Sequence, residues 1–126
     1  VYVKQKGEDM STYKLFQIKL DNATVNKINS AEDPYTIPVY KAHLEAMMKG
    51  DPALGLAGDF YTHVADIEAE GLEGVFEVGN IGPEEKITRY APMHSVSVGD
   101  VVENSGGQRF VVAKFGFEEI HPPIAA

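Results

Sequence analysis

The chain has 126 residues, 44% of them hydrophobic and 24% charged, with a formal net charge of −8 from 11 basic and 19 acidic side chains. That length and balance fit one globular α+β domain able to bury a core without disulfide or metal staples. The absence of cysteine excludes disulfides, thiolate nucleophiles and thiolate metal sites, and no apolar run approaches the roughly 20 residues of a membrane-crossing helix.

Residues 1–9 read as an extension or cloning remnant ahead of a natural start at Met10, so the domain is expected over 10–121, with 122–126 as a fraying tail. Residues 12–20, "TYKLFQIKL", alternate as a strand, with Leu15, Gln17 and Lys19 on one face and Phe16, Ile18 and Leu20 on the other. Asp21 or Asn22 can cap a short helix over 23–30, with Val25 and Ile28 facing inward. "SAEDPYTIP" is a loop. A helix follows from Pro38 to Lys49, since proline suits the first turn and Gly50 the left-handed position beyond the last. Tyr40, Leu44, Met47 and Met48 form its apolar stripe, the methionines as core filler. "GDPALGLAGD" reads as a flexible loop.

Residues 61–69, "YTHVADIEA", alternate again, placing His63, Ala65, Ile67 and Ala69 on an inner face and Val64, Asp66 and Glu68 on the other. "LEGVFEVGN" predicts a short helix that buries Leu72, Val75 and Phe76 and ends at Gly79. "IGPEEKITRYAP" connects, with room for a short helical turn or strand. Val101–Glu103, the turn "NSGG" and 108–114 form a β-hairpin, and Phe115, Phe117 and Ile120 continue into a last extended segment. The expected architecture is a small curved antiparallel sheet or partial barrel with two to three helices packed on one side.

His94, Ser95, Ser97 and Asp100 lie within seven residues. A serine nucleophile needs a base in hydrogen-bond reach and an oxyanion hole. On a strand His94 and Ser95 would point to opposite faces, and neither serine sits in a nucleophile-elbow motif. These residues therefore read as structural, with Asp100 capping a turn at Gly99. A pocket near His63, Tyr90 and His94, together with Ser95, Ser97 and Asp100, is the enzyme or small-molecule alternative. No catalytic residue, cofactor or metal site is assigned: the four histidines lack metal-ligand spacing, and the three G-x-x-G strings lack the nearby cations of a phosphate clamp.

Between Lys49 and Lys86 there is no Lys or Arg but nine acids, so this stretch carries more charge than the whole chain. Asp66, Glu68, Glu70, Glu73 and Glu77 are its candidate interaction surface. Such a field repels phosphate backbones, so direct nucleic-acid binding is not expected.

Three segments in order, "VADIEAEGLEGVFEVGN" (64–80), "HSVSVGDVVEN" (94–104) and "FVVAKFGFEEI" (110–120), resemble the small YodL-like domains of phages, plasmids and other mobile elements. The resemblance covers the C-terminal half and implies a mobile-element origin without a known activity. Together with the acidic block and the lack of a catalytic constellation, it leads to the expectation of a non-enzymatic accessory module that binds a host or phage protein in the cytoplasm of a bacterial host cell. An acidic nucleic-acid mimic that occupies a host DNA-binding protein is the alternative. No membrane association is expected, and exposed strand edges would allow a homodimer.

Overall fold

The computed structural model describes residues 10–121, so the expectations for 1–9 and 122–126 lie outside the described residues. The architecture is α+β, as expected. Six antiparallel strands form one open sheet in the order β3-β2-β1-β4-β5-β6: β1 (Met10–Ile18), β2 (Tyr61–Glu70), β3 (Ile87–Arg89), β4 (Val101–Glu103), β5 (Arg109–Val112) and β6 (Phe117–Ile120). Four helices accompany it: α1 (Asn22–Ser30), α2 (Pro38–Lys49), α3 (Ala53–Ala57) and α4 (Gly71–Ile81).

The long central pair sets the frame. β1 runs antiparallel to β2 from Met10 opposite Glu70 to Ile18 opposite Tyr61. Tyr13 and Leu15 turn into the main core beside Ala65, Ile67 and Ala69, while Thr12 and Lys14 face water. The pairing then jumps from Leu15–Ala65 to Phe16–His63, and Val64 has no partner across β1. One extra residue reverses the facing of every side chain before it. His63 therefore leaves the face of Ala65 and Ile67 that simple alternation assigned it, and stands with Phe16 on the opposite face, ring centroids 5.3 Å apart. Val64 itself is fully buried, and its carbonyl accepts the backbone N–H of Tyr90 at 2.8 Å. The bulge thus anchors the chain leaving β3.

The helices differ from expectation in which face they bury. Asp21 caps α1 by accepting from the Thr24 N–H at 2.7 Å, but no residue of α1 is buried and Val25 is exposed rather than inward. α2 has the expected bounds, with Gly50 left-handed at φ 66°. Its buried residues are Ala42 and Ala46, while Tyr40 and Leu44 are half-buried and Met47 and Met48 are exposed. The reason is close approach: a Cβ on Gly99 would run into the Ala46 backbone, so only small side chains fit between helix and turn. The supposed loop after α2 contains α3, whose Gly55 presses on Tyr61 and Ile18. α4 buries Val75 and Val78, leaves Phe76 46% exposed, and continues past Gly79 to Ile81. Gly79 is there for packing, since a Cβ would collide with Val96. The connector after α4 holds both a 3-10 turn, Glu84–Lys86, and β3.

The main core joins Tyr13, Leu15, Ile67, Val75, Val96 and Val102 with their neighbours, sealed by α4. A smaller cluster of Ile18, Ala42 and Ala46 fastens α2 and α3 to the Ile18–Tyr61 end of the central pair. β4 and β5 form the expected hairpin, its turn held by Asn104 Oδ1, which accepts from the N–H groups of Gly106 and Gln108. Among the described residues no helix is long and apolar enough to cross a membrane.

Gly99 combines a positive φ of 93° with backbone contact to Ala46. Gly99→Ala is expected to destabilise the fold by about 2–4 kcal/mol in chemical denaturation, from overpacking plus left-handed strain. Gly107→Ala, at a similar φ but in open space, should cost about 1 kcal/mol.

Candidate functional site

The segment from Tyr90 to Val98 is irregular rather than a strand, so alternation does not orient His94 and Ser95. A side chain from β1 does. Gln17 is fully buried, and its Oε1 accepts the His94 backbone N–H at 3.1 Å. Its Nε2 donates to the His94 carbonyl and to Asp100 Oδ2, each at 2.9 Å. Asp100 Oδ2 also accepts the Ser97 N–H at 2.9 Å, while the Asp100 N–H returns to the Ser97 carbonyl at 3.0 Å. The turn is then tied to β5 by Gly99 N–H to Val112 O and Val112 N–H to Asp100 O, both 2.8 Å. Asp100 therefore caps the turn at Gly99. Ser97 Oγ donates to the Ser95 carbonyl at 2.8 Å, and among the described residues no serine hydroxyl is bonded to a histidine ring.

A cavity of about 390 Å³ opens between α2 and this turn, lined by Ile18, His43, Ala46, Met47, His94, Ser95, Ser97, Val98, Gly99 and Asp100. Burial pushes the Asp100 carboxyl up to about 6, against the opposing pull of the Ser97 N–H and Gln17. Burial lowers His43, helped by the nearby His94 charge. Tyr61, whose hydroxyl donates to the Gly99 carbonyl, is raised by burial and by Asp100. From sequence, Met47 belongs to the core stripe of α2 and His43 has no role in a site. They lie one turn apart on α2, and only the packing of that helix brings them opposite His94.

His63 and Tyr90 do not line this cavity. They belong to a separate cluster on the other face of the central strands, created by the bulge at Val64. His63 Nε2 meets Asp66 Oδ1 at 2.7 Å, and the Tyr90 hydroxyl donates to Asp66 Oδ2 at 2.6 Å. The His63 ring packs between Phe16 and Tyr90, and Arg109 lies over Phe16 at 5.2 Å. That cluster divides the acidic row. Asp66 is engaged, Glu68 is exposed on the strand, and Glu70, Glu73 and Glu77 line a concavity of about 410 Å³ beside α4 with Lys86 at its rim. Across α4, Glu73 and Phe76 line an apolar groove with Val112, Lys114 and Phe117. Among the described residues no group of three His, Asp or Glu side chains is placed to hold a metal ion.

Replacing Gln17 by Leu removes one of the two partners of Asp100 Oδ2 and leaves both His94 backbone groups without their Gln17 partner. The expected loss is about 2–4 kcal/mol, read by denaturant unfolding. Because Asp100 is raised in the folded state, its stabilising contribution is full below its ordinary value of 3.8 and is lost as pH rises through about 6. Wild-type stability relative to Asp100→Asn should therefore fall by on the order of 2–3 kcal/mol between pH 4 and pH 7. The lowered His43 acts in the opposite direction in the same range but is common to both proteins, so the comparison isolates Asp100. A pH-independent difference would refute this burial effect. Comparisons with protein-family models, with curated proteins and with solved structures find no match.

Proposed function

We propose that this chain is an accessory protein of a phage or other mobile element that acts by binding another protein in the bacterial cytoplasm, without catalysis of its own. The observation that carries the reading is the surface around α4. Phe115 is 95% exposed at the turn before β6, between Lys114 and Gly116 of the apolar groove, and the half-exposed Phe76 lines that groove. Glu73 borders both that groove and the acidic concavity, and Glu77, one helical turn on, lines the concavity. Exposed aromatics framed by charge are the usual anchors of a protein interface. The matching partner surface has an apolar recess ringed by Lys or Arg, with the charges steering approach. The mobile-element origin rests on the resemblance of segments 64–80, 94–104 and 110–120.

Two rival readings have less support. A nucleic-acid mimic needs unpaired carboxylates in one line, whereas Glu84 pairs with Arg89, Glu103 with Lys14 and Arg109, and Glu45 with Lys49, and Asp66 bonds His63 and Tyr90. A homodimer through the β6 edge would set Glu118 and Glu119 of two copies against each other.

The test is affinity capture from host lysate with wild type, Glu73→Lys/Glu77→Lys and Phe115→Ser, each first shown to melt like wild type. A partner with a basic surface, retained by wild type, weakened at least tenfold by either variant and released by salt, is the expected result. Equal retention by the variants would overturn the α4 surface, and no specific partner would overturn the binding function.

A further inference from the structure

We infer that the cavity between α2 and the His94–Asp100 turn is a binding site for a small uncharged aromatic molecule that presents an N–H or O–H to His94. The inference is independent of the protein-binding role, which uses a different surface.

Proton counting around Gln17 defines what His94 offers. The Gln17 amide oxygen is identified by the His94 backbone N–H that it accepts, so the amide nitrogen carries two protons. Both have acceptors at 2.9 Å, the His94 carbonyl and Asp100 Oδ2. The third neighbour of that nitrogen, His94 Nδ1 at 3.1 Å, is left without a proton to accept from it. Nδ1 also lies 2.8 Å from the Ser95 carbonyl, which can only accept. Nδ1 therefore carries a ring proton and donates to Ser95, so in the neutral form of the ring the lone pair sits on Nε2. No hydrogen bond among the described residues uses that atom. The hydrogen bond at Nδ1 thus selects one neutral tautomer for the exposed His94 ring and leaves its acceptor unused by the protein, as in sites where a histidine receives a ligand.

The remaining walls choose the ligand. Ile18, Ala46 and Val98 supply apolar surface, and the His43 ring and the Met47 thioether sit one helical turn apart on the same side. Thioether sulfur and imidazole both pack well on a flat ring. Met47 is 45% exposed, so this sulfur is at the cavity rather than in the core. No Lys or Arg lines the space, so an anion has no counter-ion, and the chain's net charge of −8 opposes it. The one carboxylate, Asp100, is 5% exposed and already bonded to Gln17 and Ser97, which leaves little for a cation. A volume of about 390 Å³ is at the small end of ligand pockets, suited to one or two fused rings.

Matched probe pairs test this on the full chain by saturation-transfer NMR and imidazole 15N spectra: indole against 1-methylindole, and phenol against anisole. Indole or phenol should bind, perturb the His94 Nε2 resonance and bind at least tenfold more tightly than its methylated partner. His94→Phe should lose that tenfold preference. Met47→Ala, at an exposed position where folding is not in question, should weaken indole or phenol at least threefold. Equal binding within each pair, no change at His94 Nε2, no effect of Met47→Ala, or tighter binding of benzoate than of phenol would each overturn the proposal.

Discussion

Gln17 is the interaction on which the rest depends. A fully buried amide on a sheet strand is costly unless every polar atom is matched. Here the matching groups are the His94 backbone, on an otherwise irregular segment, and the Asp100 carboxylate, at the start of the β4–β5 hairpin. One side chain on β1 therefore specifies where an eleven-residue connection lies and how the hairpin approaches the central pair. The cavity between α2 and the turn is a consequence, because its floor is this network.

A second constraint is the bulge at Val64. It separates two histidines that look alike in sequence. His63 goes to an aromatic cluster tied to Asp66 and Tyr90, and His94 goes to the network around Gln17. The same residue anchors Tyr90 through its carbonyl, so the position of that cluster and the path out of β3 are set together. The proposed roles divide accordingly: the proposed interaction surface lies on α4 and the turn before β6, and the proposed ligand cavity between α2 and the Gly99 turn, with the sheet between as a frame.

Element positions were largely legible because local signals set them. Pro38 and Gly50 bracket α2, Asp21 caps α1, and Asn104 with two glycines turns the hairpin, and each acts within a few residues of itself. Facing was less legible. Simple alternation assigned His63 to the Ala65 face because a bulge needs a partner strand to exist. Met47 and Met48 looked like core because hydrophobicity ranks them above Ala42 and Ala46. The close approach of Gly99 reverses that order, and it is visible only once the turn is packed on the helix.

By itself, the sequence determined the α+β class, the antiparallel hairpin, the bounds of α1 and α2, the concentration of acid between residues 50 and 85, and the absence of thiol chemistry. These follow from composition and from contacts between near neighbours in the chain. Tertiary structure alone decided that Gln17 meets His94 and Asp100 across more than 75 positions, that His43 and Met47 face the same cavity, and that the acidic row is split between strand and helix. Such pairings depend on which surfaces close over one another, and no pattern within a single segment encodes them.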